Sequence, residues 1–430
     1  MSPALRRVSR TTFASLSVPN YRLYIGGQSL SLVGTWMQMA AQSWLVLTLT
    51  HSATDLGLIV ALQTLPVLIL GPYGGVIADR VNKRKAMIAL QAIMGLQALT
   101  LGLLTVTHSV HLWEIGALAF ILGLNNTFEN PARQSFMLEL VGAEHLRNAV
   151  SLNSTMVNVA RVVGPGIGGL MIAAVGTGWC FLINAVSFIF VINSLTRMNR
   201  SALAPVTPTP RAKGQLRDGL RYVSHEPGLA LPIAMAFVVG CLAYEFQVSL
   251  PYMAGHGLHV GSAGYGFMTA SMGVGAVVGG LVLAARGKTG SAALVLSAVC
   301  FGVSLGLATI APDLPLELLA LALAGGSGVT FMSQSNSTLQ LRAAPEMRGR
   351  VMALWFVSFQ GSTPIGGPII GFVMAGYGAR AGLGVGAIAC IVAAAAGAVT
   401  LRNLRARAEV AAAPVDVAPA DVAPPEVIAA

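Results

Sequence analysis

Of 430 residues, 55 % are apolar and only 10 % are Asp, Glu, Lys or Arg, against about 25 % charged in a soluble domain. Too few polar side chains remain to cover a soluble surface, which excludes a cytosolic enzyme, a disordered chain and a secreted disulfide scaffold. The class left is an all-α polytopic membrane protein, and its 49 Gly suit close helix approach in lipid.

Twelve apolar windows of membrane-spanning length follow one another, in two sets of six. The first set covers about 24–49, 55–78, 86–107, 112–136, 150–175 and 179–196. The second covers about 229–253, 262–285, 291–311, 315–341, 351–376 and 381–401. The reading divides the chain into an N-terminal bundle (1–198), a cytoplasmic linker (199–228), a C-terminal bundle (229–402) and a tail (403–430). The Ala-Pro-Val tail has too few large apolar groups to fold and reads as disordered. All but two of the 26 basic residues fall on one face, the exceptions being Arg161 inside span 5 and Arg380 opposite. That asymmetry predicts two cytoplasmic termini in a bacterial inner membrane. The net charge of +10 is then a topology signal, and nucleic acid is not an expected partner because no aromatic-interleaved basic face exists. Arg6, Arg7 and Arg10 precede no short apolar stretch with a cleavage site, so no cleaved signal is expected.

The sets repeat each other at an offset near 200 residues. Glu144-His145-Leu146-Arg147-Asn148-Ala149-Val150 parallels Glu346-Met347-Arg348-Gly349-Arg350-Val351, and Gly164-Pro165-Gly166-Ile167-Gly168-Gly169 parallels Gly367-Pro368-Ile369-Ile370-Gly371. Two pseudo-symmetric six-helix bundles predict a transporter with a central cavity near the midplane.

The segment after span 2, Gly75-Val76-Ile77-Ala78-Asp79-Arg80-Val81-Asn82-Lys83-Arg84-Lys85, resembles the signature of the major facilitator superfamily. Gly75 permits close packing, Asp79 and Arg80 can pair at a helix end, and Arg84 belongs to a cationic run expected at the lipid head groups. The resemblance implies that this cluster stabilises the outward-open state and links it to protonation. Asn82 stands where the family has glycine, a mild departure because Asn tolerates a left-handed backbone. Gly164, Pro165, Gly168 and Gly169 in span 5 resemble the superfamily's antiporter motif, which implies proton-coupled export; a generic packing motif is the alternative. Tyr21-Arg22-Leu23-Tyr24, Gly34-Thr35-Trp36-Met37-Gln38, Asn130-Pro131-Ala132-Arg133-Gln134 and Arg348-Gly349-Arg350-Val351 resemble the transmembrane secretion effector group, which includes enterobactin exporters and macrolide-efflux-like proteins.

An ionisable residue inside a span is a functional candidate. Glu245 in span 7 is the leading proton carrier, with recognition of a cationic substrate or plain interhelical bonding as alternatives. Arg161 shares a polar face with Ser151, Ser154 and Asn158, and Glu129 is its expected partner, as a gate or as a static lock. Thr35, Gln38 and Gln42 in span 1, Asn336 in span 10 and Trp355 in span 11 are cavity candidates, each equally able to serve helix–helix bonding. The lone cysteines Cys180, Cys241, Cys300 and Cys390 and the pairs His108/His111 and His256/His259 have no metal-type spacing, so no metal and no cofactor are expected. No Walker lysine or nucleophile–base pattern is present, so the chain is not an enzyme. The expected function is a monomeric, proton-coupled exporter of a small amphipathic molecule such as a drug or siderophore. A nutrient facilitator or importer, or a non-transporting membrane sensor, are the alternatives.

Overall fold

Backbone N–H and C=O groups find no water in hydrocarbon, so a spanning chain must satisfy them internally, and the described residues of this one are mostly helical. A computed structural model describes residues 13–204, 215–287 and 289–412, and contains no strand among them. The first half comprises α1 (Pro19–Thr50), α2 (Ala53–Arg80), α3 (Lys83–Val106), the 64-residue α4 (Leu112–Val175) and α5 (Thr177–Arg197). The second comprises α6 (Gln215–His225), α7 (Pro227–Ala243), α8 (Phe246–Tyr252), α9 (Gly261–Arg286), α10 (Ser291–Ile310), α11 (Leu314–Arg342), α12 (Arg348–Gln360), α13 (Thr363–Tyr377) and α14 (Ala381–Ala412). Among the described residues nine helices are long and apolar enough to cross a membrane. One of these is α4, whose two arms are separate crossings; with α1 and the broken pair α12–α13 the total is twelve.

Local chemistry places the breaks. Gly142 adopts φ 67°, open to glycine, and turns α4 back on itself. Ser52 Oγ accepts from the Asp55 N–H at 3.2 Å to start α2, and Asp313 Oδ1 accepts from Leu316 N–H at 3.1 Å to start α11. Asn82 caps α3 by accepting from the Lys85 N–H at 3.0 Å, with φ −63°. The tolerance of Asn for a left-handed backbone is therefore not what that position uses; its side chain is.

The basic run after α2 is not confined to the head groups. Lys85 is exposed, but Lys83 and Arg84 are buried. Lys83 Nζ pairs with Glu139 Oε1 at 2.7 Å. Arg84 donates through Nε to the Leu195 carbonyl at 2.6 Å and through Nη2 to the Thr196 carbonyl at 2.8 Å. Arg84 thus satisfies carbonyls that the last turn of α5 leaves open. Replacing Arg84 by Met is expected to lower unfolding stability in detergent by about 2 kcal/mol, as for loss of hydrogen bonds to a charged group; calorimetry checks this. Gly75, Asp79 and Arg80 lie outside the residues whose side chains are described.

The amphipathic α6 lies within the stretch read as linker. Val223 packs with Leu229, Leu339 and Val351, Tyr222 Oη accepts from the Ala344 N–H at 3.3 Å, and Arg350 pairs with Asp218 at 3.5 Å. The last helix runs beyond the expected boundary at 403 to Ala412, and residues 413–430 lie outside the described residues.

Candidate functional site

Two helix pairs join the halves: α2 against α13, and the second arm of α4 against α9. Both pairs meet backbone to backbone, because lipid gives helices no hydrophobic reason to associate and small residues must supply the contact. A Cβ on Gly169 would stand 2.6 Å from the Ser262 carbonyl and 2.7 Å from Gly266 Cα, and one on Gly266 would stand 2.8 Å from the Pro165 carbonyl. Gly57 meets the Gly367 carbonyl, and Gly371 meets Ala53 and Thr54. Gly164 faces α1, where a Cβ would sit 2.6 Å from Trp36 Cβ, and Gly168 faces Met37. The span 5 motif therefore packs α1 within its own half and, through Pro165 and Gly169, the other half. Trp44 stacks on Tyr265 at 6.1 Å, and the rings of His51 and His256 lie 6.3 Å apart, edge to face. These contacts between halves gather toward the end of the molecule away from the termini, the distal end. On the terminal side the second arm of α4 exposes Ser151, Ser154, Thr155 and Asn158. A polar face on a spanning helix borders water and not lipid.

Glu245 lies on this seam. The helix that should run through span 7 stops at Ala243 and resumes at Phe246, so Tyr244 and Glu245 form a break. Glu245 is 3 % exposed and its Oε1 has no hydrogen-bond partner. A Cβ on Gly366 would stand 2.8 Å from that oxygen, and one on Gly367 would stand 3.7 Å from Oε2. The Thr363 side chain is within hydrogen-bonding reach of the carboxyl. An acid without a cation thus packs against the segment of α13 that touches α2.

Arg161 also reaches the seam, without the expected partner. Its guanidinium lies 5.0 Å over the Trp36 ring and acts electrostatically on Tyr244 of the other half. Glu129 pairs instead with Arg133, one turn along the same helix, Nε to Oε1 at 3.2 Å. The geometric reason is simple: Arg133 is at i+4, whereas Arg161 lies on the other arm of α4 beyond the turn at Gly142. The Glu129–Arg161 pair is therefore corrected.

The profile of the transmembrane secretion effectors matches residues 10–425. The chain belongs to that family of the major facilitator superfamily. It is 26 % identical to the multidrug efflux pump Tap of Mycolicibacterium fortuitum, over 80 % of this chain and 85 % of that one. It is 26 % identical to the enterobactin exporter EntS of Escherichia coli, over 82 % of this chain and 85 % of that one. To YfiS of Bacillus subtilis, an uncharacterized MFS-type transporter, identity is 28 % over 56 % of this chain, and the match spans 60 % of YfiS. Among solved structures, a bacterial homologue of the human lysosomal transporter Spinster superposes with TM-score 0.73 at 14 % identity, covering 90 % of this chain and 98 % of that one. The nucleoside transporter NupG superposes with TM-score 0.65 at 12 % identity, covering 88 % and 98 %. The transporter is a multi-pass membrane protein and not an enzyme.

Other candidates divide cleanly. Gln38 and Gln42 serve packing within the first half of this secretion effector. Gln38 Nε2 donates to Gln97 at 2.9 Å and its Oε1 accepts from Asn184 at 2.7 Å, while Gln42 donates to Gln63 at 2.9 Å. Both are buried, so neither lines a cavity. Thr35 is half-buried; Asn158 is exposed, donating only to its own helix at Ser154. Asn336 accepts from Gln340 at 2.6 Å, and Trp355 Nε1 donates to Ser335 Oγ at 2.9 Å. One buried acid escaped the sequence reading. Glu317 is 0 % exposed, with neither carboxyl oxygen hydrogen-bonded. It lies in the first turn of α11, near the helix N-terminus that attracts acids, where an acid does not stand out from the sequence.

Proposed function

We propose that this transporter is a proton-coupled exporter working by alternating access, with both termini in the cytoplasm and one chain sufficient. The reading is carried by the position of Glu245: an acid without a cation partner at a helix break, its Oε1 unbonded, packed on the glycines that close the distal seam. In a dry seam the acid is tolerated only when neutral. Opening the distal end would hydrate it and let it take a proton from outside. Closing that end carries the proton inward, and cargo entering the parted halves accompanies its release. In this reading the described state is inward-facing and protonated, and the N-terminal (1–198) and C-terminal (229–402) bundles rock relative to each other, making and breaking the Gly169–Gly266 contact that closes the distal end. Both the Tap and EntS relatives are named as exporters, which favours outward cargo movement, and their names suggest a drug or siderophore as cargo. One elementary charge crossing 100 mV provides about 2.3 kcal/mol.

The test is accumulation of a panel of siderophores and amphipathic drugs in inside-out vesicles with an acidified lumen. Accumulation that disappears when a proton ionophore collapses the gradient is expected. Accumulation indifferent to the gradient contradicts the reading.

A further inference from the structure

We propose that the central site selects an anion borne on a flat aromatic body, with Arg161 as the recognising cation. This deepens the exporter reading and rests on it for the site's role in transport. Arg161 forms no ion pair among the described residues, and its Nε is buried without a hydrogen-bond partner. The acids of the neighbouring spans are engaged elsewhere: Glu129 with Arg133, and Glu245 in the seam behind Gly366. A guanidinium has five donors in a planar fork that fits carboxylates and other planar oxyanions. Arg161 is half-buried and its Nε is unbonded, so its fork has donors to offer such a group.

The surroundings specify the rest of the ligand. The guanidinium sits on Trp36, and Tyr244 of the opposite half is near enough to interact with it electrostatically. Tyr244 packs on Phe359 at 4.8 Å, and Phe359 stacks on Trp355 at 5.9 Å with ring planes 8° apart. Half-buried Tyr244 and Trp355 therefore flank the buried Phe359 along the second half, while Asn158 exposes a polar edge on the first. A planar apolar body stacks on rings, and its anionic end meets Arg161. A cationic amphipath would meet the same rings but an opposing charge.

Dansylglycine and dansylcadaverine carry the same environment-sensitive fluorophore with opposite charges. Fluorescence titration of the purified full chain in detergent is expected to show dansylglycine binding at least about tenfold tighter, the difference of one charge-assisted contact. Arg161→Gln should erase that preference, and Arg161→Lys should keep part of it, with unfolding temperature recorded for each to separate recognition from folding. Equal or tighter binding of dansylcadaverine, no saturable binding of either probe, or an unchanged preference in folded Arg161→Gln overturns the proposal. Anion preference without gradient-driven flux would remove the coupling reading alone. Flux with cation preference would remove this one alone.

Discussion

Glu245→Gln is expected to lower gradient-driven cargo accumulation by at least about tenfold while the protein folds and still binds cargo. The amide has the shape of the neutral acid that the seam accommodates, so packing on Gly366 and Gly367 is kept. The lost oxygen, Oε1, has no hydrogen bond to lose, while the amide brings N–H donors into the seam, so a stability loss of no more than about 1–3 kcal/mol is expected. What the variant lacks is a proton to exchange. Equilibrium cargo binding to the purified variant should persist, which separates coupling from binding. Loss of accumulation and binding together, or retention of both, contradicts the role given to Glu245.

Gly266→Val is expected to hold the distal end open. No room exists for a side chain at the crossing of α4 and α9, where the Pro165 carbonyl and Gly169 Cα are 2.8 and 2.9 Å from the ideal Cβ position. Overpacking costs about 1–3 kcal/mol, and about 1.4 kcal/mol shifts a two-state population tenfold. The closed state pays that energy and the open one does not. Cysteines at His51 and His256, whose rings are 6.3 Å apart in the closed state, should cross-link under mild oxidation in the parent. In the Gly266→Val background the closed-to-open ratio should fall about tenfold, and the cross-linking yield should drop with the closed population. Equal yields in the two backgrounds would show that the crossing does not control the distal end.

Much of the architecture is legible in the sequence because lipid is a demanding solvent. Twenty apolar residues in a row allow few alternatives, and a charge among them stands out, which is how Glu245 and Arg161 are found. Helix breaks are less legible. Nothing at Tyr244-Glu245 is a helix breaker, and the flanking Gly240 and Pro251 lie elsewhere in the span. The break is a tertiary event between Tyr244 packed among rings and Glu245 packed on α13. Side-chain partners are the least legible. Arg133 reads as a loop charge although it is the ion-pair partner of Glu129, because the boundary of span 4 falls near it. Gln38 and Gln42 share a face with Thr35 by spacing alone, yet only the neighbours Gln97, Asn184 and Gln63 decide that this face is packed and not wet. Glu317 hides at a helix start, where an acid is ordinary.

The central claim is that the protonation of Glu245 decides which end of the seam is closed. Nitroxide labels on cysteines at His51 and His256, with Cys180, Cys241, Cys300 and Cys390 replaced, report the distal separation by electron–electron dipolar spectroscopy. The account expects short separations in acid, a growing long-distance population in alkali, and an alkali-insensitive short distribution when Glu245→Gln is added. A distribution that ignores pH in the parent, or one that still responds to pH without the carboxyl, would contradict it.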